Sequence, residues 1–127
     1  MVNQFSVIQF SMEYNLEERT AKFSEQSIEF ARLIKRDAIN LPLVTQFIRS
    51  ATSIGANYTE AINGSSKKDF RNKICICKKE SQETRYWLRM LKNLGNEAAR
   101  NTLEKEVQEL LFIFQKIITS CDKAKKE

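Results

Sequence analysis

The chain has 127 residues, enough for one domain, and only 3 glycines and 1 proline, too few for the tight turns of a β-sandwich or barrel. Its 21 basic residues against 16 acidic ones leave a formal charge of +5, which favours polyanionic partners, and the absence of histidine excludes catalysis by a histidine-containing triad. No apolar run reaches the 18 or more residues of a membrane span, the N-terminus lacks a signal-peptide pattern, and Cys75, Cys77 and Cys121 form neither a disulfide framework nor a zinc-type pair, so a reduced, cytoplasmic protein without a cofactor is expected.

Residues 1–14 stand apart, because Ile8, Phe10, Met12 and Tyr14 alternate with polar residues at the period of a strand. A lone strand is not stable. This extension therefore pairs with another subunit, packs as an extended arm or stays disordered, and Met12 offers an alternative start.

A first helix is expected from Asn15, with Glu18 completing a capping box, and its inward stripe is Leu16, Thr20, Phe23, Ser27, Phe30 and Ile34, ending near Asn40. Pro42 suits the first turn of the second helix, whose inner face carries Val44, Phe47, Ile48, Ala51, Ile54, Tyr58 and Ala61. The small residues from Ser50 to Ala56 allow a close neighbour, and Asn63-Gly64 closes the helix with Gly64 left-handed. Ser66 and Asp69 have the spacing to cap a third helix, about Lys67 to Leu94, which carries Phe70, Ile74, Cys77, Ser81, Thr84, Leu88 and Leu91 along one seam and stops at Gly95.

Asn101 and Glu104 have the capping-box spacing for a fourth helix with the stripe Leu103, Val107, Leu110, Phe114, Ile117 and Cys121, widened by Leu111 and Ile118. Residues 123–127 read as a solvated tail. Four amphipathic helices joined by short links predict an all-α, antiparallel up-down-up-down four-helix bundle over residues 15–122.

The third helix concentrates the charge. Lys67, Lys68, Arg71, Lys73, Lys78, Lys79, Arg85, Arg89 and Lys92 face only Asp69, Glu80 and Glu83, a surplus larger than that of the whole chain. Arg71, Lys78, Arg85 and Lys92 recur at sevens, with Arg89 one turn from Arg85, and draw a basic line that suits a phosphate backbone, although on charge alone a solvated face is the plainer reading. Tyr86 and Trp87 beside it either stack on unpaired bases or pack, in the core or at a subunit interface.

Glu80 and Glu83, with Glu60 on the preceding helix, form a carboxylate group for a divalent metal, but a di-iron bundle needs histidine, so pairing with Arg85, Arg89 or Arg49 is the expected fate, within the chain or across a subunit boundary. Cys75 and Cys77 lie on different helix faces and are expected to pack.

Three blocks then carry a resemblance: Ser53-Ile54-Gly55-Ala56-Asn57-Tyr58-Thr59-Glu60-Ala61, Ser65-Ser66-Lys67-Lys68-Asp69-Phe70, and Lys79-Glu80-Ser81-Gln82-Glu83-Thr84-Arg85-Tyr86-Trp87-Leu88-Arg89-Met90-Leu91. Together they resemble the four-helix bundle proteins encoded in intervening sequences of bacterial 23S ribosomal RNA genes. The match is strongest over residues 43–95. The resemblance implies a homo-oligomer, a pentamer around a central channel, with a role associated with structured RNA and no enzymatic activity. A related branch, the accessory proteins of diversity-generating retroelements, engages a reverse transcriptase and nucleic acid, and the Arg85–Arg89 block is similar in character to both branches; the Ser53–Ala61 block resembles the ribosomal one. The extension over residues 1–14 departs from the family's compact start.

Two functions follow as expectations. Arg71, Lys78, Arg85, Arg89 and Lys92 contact RNA phosphates while Tyr86 or Trp87 stacks or packs, or else the bundle is a scaffold whose basic helix meets an acidic protein partner.

Overall fold

In a computed structural model, which describes residues 14–64 and 66–126, four helices follow one another: α1 (Leu16–Arg32), α2 (Asn40–Ile62), α3 (Lys67–Met90) and α4 (Glu97–Lys126). Each packs on its chain neighbour and α4 returns to α1, giving the expected four-helix bundle. The strand expected over residues 1–14 lies outside the described residues except for Tyr14, which sits in a turn and packs against the core.

The core is the set of stripes read from the sequence. Every residue of the α1 stripe and of the α3 seam is buried, as are Val44, Phe47, Ala51, Ile54, Tyr58 and Ala61 of α2. On α4, Ile113 joins Leu103, Val107, Leu110, Phe114, Ile117 and Ile118, whereas Cys121 and Leu111 are half-buried. Phe30 and Phe47 meet edge to face at 5.9 Å and lock α1 to α2. Further along the same pair Gly55 is buried, and a Cβ there would lie 3.3 Å from the Thr20 carbonyl oxygen, so the α1–α2 approach requires the missing side chain.

Several helix ends depart from expectation, and in the α1–α2 link and at the start of α4 a polar side chain claims the backbone. Asn15 adopts a left-handed conformation (φ 53°, ψ 45°) and makes no side-chain cap; its carbonyl takes the first helical bond, from the Arg19 N–H at 2.9 Å. The first helix stops at Arg32 rather than near Asn40, since the Arg36 guanidinium donates to the Ala31 carbonyl at 2.7 Å and the Ile34 carbonyl at 2.5 Å. Asp37 then accepts from the Asn40 N–H at 2.7 Å and the Ile39 N–H at 3.0 Å, capping α2 and leaving Pro42 in its first turn.

Gly64 is not left-handed. Ser66 does cap α3, accepting from the Asp69 N–H at 3.0 Å. That helix ends at Met90, before the expected Leu94, and the residue with positive φ is Asn93 (66°) rather than Gly95. Gly95 serves a different need: a Cβ on it would come 3.1 Å from Ile34 and 3.2 Å from Phe30, closing the end of the bundle. For α4 the cap is Asn96, accepting from the Ala99 N–H at 3.0 Å, while Asn101 lies inside the helix. The expected tail continues α4 to Lys126.

Among the described residues Ser27 Oγ is a buried side-chain polar atom without a hydrogen-bond partner. An unsatisfied buried hydroxyl carries a desolvation cost with no return. Ser27→Ala is expected to stabilise the protein by about 1 kcal/mol, read as a higher denaturant midpoint at unchanged slope.

Candidate nucleic-acid interface

The seam of α3 fixes where its other side chains go. Residues one step off the seam toward α2 pair with that helix: Arg49 of α2 donates to Glu80 at 3.0 Å and also pairs with Glu83, and Lys73 pairs with Glu60 of α2 at 2.7 Å. Of the three arginines considered for Glu80 and Glu83, Arg49 takes both, within the chain. Among the described residues no group of three or more cysteine, aspartate or glutamate side chains is placed to hold a metal ion. Glu80 and Glu83 are thus tied to α2 and do not offset the bases on the other face of α3.

On that face the basic line divides. Arg71, at the start of α3, grips Asp122 of α4 with a two-point fork at 2.7 and 3.1 Å, and this hydrogen bonding holds its guanidinium pKa above the ordinary value. Lys78 is half-buried, and Arg85, Arg89 and Lys92 are exposed. None of these four makes an ion pair with a described residue. Arg85, Arg89 and Lys92 line a groove of about 400 Å³ together with Gln82, Tyr86, Arg100 and Glu104.

Arg100 was not singled out by the sequence, because it stands on α4 outside the basic run. Its signal is the spacing Glu97, Arg100, Glu104, three and four residues apart on one face. The side chain is nearly buried, donating to Glu97 at 2.9 Å, to Glu104 at 3.3 Å and to the Leu88 carbonyl of α3 at 3.3 Å, and so it pins the start of α4 to the end of α3. Hydrogen bonds from Arg100 and from the Asn93 N–H hold the Glu97 carboxyl below its usual pKa. The stabilisation from that depressed pKa is present at neutral pH and is lost as pH falls through it.

The two aromatic residues separate by role. Trp87 is half-buried against the core and donates its Nε1–H to Glu83 at 3.0 Å. Tyr86 is 53% exposed and meets Trp87 edge to face at 5.1 Å. The cysteines pack: Cys77 is fully buried with its thiol against the Ile54 carbonyl, and burial pushes its pKa up to about 12, while burial likewise raises that of Cys121. Cys75 is half-buried beside Arg71.

No helix of the described residues is long and apolar enough to cross a membrane. Comparison with curated proteins gives no match. Among solved structures, the chain is similar to a protein of unknown function from the S23 ribosomal protein family of Bacteroides thetaiotaomicron, with 28% identity and a TM-score of 0.70, over 81% of this chain and 97% of the other. The family model described as 23S rRNA-intervening sequence protein matches residues 12–116, which takes in all of α1, α2 and α3 and most of α4. With that coverage and the bundle built above, the chain belongs to the 23S rRNA-intervening sequence protein family.

Proposed function

We propose that the protein is a non-enzymatic, homo-oligomeric RNA-binding bundle that engages structured RNA through the C-terminal half of α3. The observation that carries this reading is the groove in which Arg85, Arg89 and Lys92 converge without a carboxylate partner among the described residues, beside an exposed tyrosine. Lys78 extends the basic surface along the helix, roughly 10 Å from Arg85 at the helical rise. Arg71 contributes least, because Asp122 already satisfies it. Membership of a family named for 23S rRNA intervening sequences supports RNA over other polyanions.

The bundle assembles as a homo-oligomer, a pentamer by family resemblance, and the exposed Leu33, Ile39 and Leu41 around the α1–α2 turn supply apolar surface for self-association. The test is titration of the purified oligomer, sized by light scattering, against structured RNA and duplex DNA at several salt concentrations. A steep salt slope with tighter binding of RNA is expected. Absence of binding at low salt refutes the reading and leaves the basic helix to an acidic protein partner.

A further inference from the structure

We infer that the groove between the end of α3 and the start of α4 holds one unpaired nucleotide of the bound RNA, its base stacked on Tyr86 and its phosphate held by Arg85 and Arg89. This rests on the RNA-binding reading above and adds to it the feature of the RNA that is read. Phosphate contacts alone need only cations and draw any duplex. What the basic face holds in addition is an aromatic ring more than half open to solvent and flanked in sequence by Arg85 and, three residues on, by Arg89. A base inside a duplex is covered by its neighbours on both faces, so only an unpaired base presents a face to such a ring.

The ring is also held in advance of any ligand. Tyr86 rests edge to face on Trp87, the Trp87 indole is fixed by its bond to Glu83, and Glu83 is clamped by Arg49 from α2. A platform fixed through three neighbours loses little conformational freedom on binding. One helical turn before Tyr86, the exposed Gln82 lines the same groove with an amide that both donates and accepts, as a base edge requires. On the opposite wall the nearly buried Arg100 holds Glu104 by an ion pair at 3.3 Å, which tempers the one carboxylate in the lining. The groove's volume of about 400 Å³ falls at the lower end of the range for small-ligand sites, as suits one nucleotide rather than an extended strand.

The experiment uses the full chain and two RNA duplexes annealed from separate strands with blunt ends, one fully paired and one with the same strands carrying a single unpaired adenosine. Trp87 is the only tryptophan in the sequence, so its fluorescence reports on the ring it touches. The bulged duplex is expected to bind about tenfold more tightly, the scale of one stacked base, and to change Trp87 emission. Tyr86→Phe keeps that preference. Tyr86→Ala removes it, bringing the affinity of the bulged duplex to that of the paired one. Equal affinities for the two duplexes, or a preference that survives Tyr86→Ala, overturns the inference and leaves the RNA-binding reading standing, whereas binding of neither duplex overturns both.

Discussion

Reversing both Arg85 and Arg89 to glutamate is expected to weaken RNA binding by roughly 50- to 100-fold at about 0.1 M salt, since each phosphate contact releases close to one counterion and its loss costs about tenfold there. The salt slope should fall by about 2 in the same variant. The two guanidiniums are exposed and lack partners among the described residues, so the substitutions break no ion pair and the fold should be untouched. Arg71→Glu is the internal contrast. It removes the fork to Asp122 between two side chains that are each over one-third exposed, and is expected to cost well under 1 kcal/mol of stability while changing RNA affinity much less than the double reversal. A loss from Arg71→Glu half as large on a logarithmic scale as that of the double reversal, in proportion to the charge changed, would mean that overall charge, rather than the groove, governs binding.

Phe47→Ala is expected to destabilise the fold by about 3–5 kcal/mol, the upper range for a single core truncation. The ring is fully buried and joins α2 to α1 through Phe30, so its removal leaves a void that the helices cannot close while Gly55 holds the same pair in contact. A domain of this size has about 5–15 kcal/mol in total, so the variant should approach its threshold at physiological temperature. Phe112→Ala makes the comparison sharp: that ring is 60% exposed on α4, and its loss is expected to fall within about 0.5 kcal/mol. Both are read from denaturant midpoints at fixed protein concentration, which keeps oligomerisation out of the difference.

The fold was legible in the sequence because helical periodicity reports which face is buried, and the seams drawn from Leu16 to Ile34 and from Phe70 to Leu91 are buried without exception. Most helix ends were not, the Ser66 cap of α3 excepted, because they depend on single polar side chains. Arg36 and Asp37 interrupt a pattern that looked helical to Asn40, and Asn93 and Asn96 take the roles expected of Gly95 and Asn101.

The candidate site was half legible. Spacing at sevens placed Arg71, Lys78, Arg85 and Lys92 on one line, but which of them is neutralised depends on Asp122, fifty-one residues away from Arg71. No pattern within α3 shows that. Arg100 was missed for the same reason: it closes the groove from another helix. The choice between stacking and packing for Tyr86 and Trp87 likewise needed the bundle, which turns the indole toward Glu83 and the core and leaves the phenol outside.

The most direct test of the account is lysine acetylation of the full chain, read by mass spectrometry with and without bound structured RNA. Lys78 and Lys92 lie on the proposed face, while the exposed Lys22 of α1 and Lys105 of α4 line a separate groove between those two helices. RNA is expected to protect Lys78 and Lys92 and to leave Lys22 and Lys105 as reactive as in the free protein. Protection of Lys22 and Lys105 with Lys78 and Lys92 unchanged would contradict the assignment of the RNA-binding face to α3.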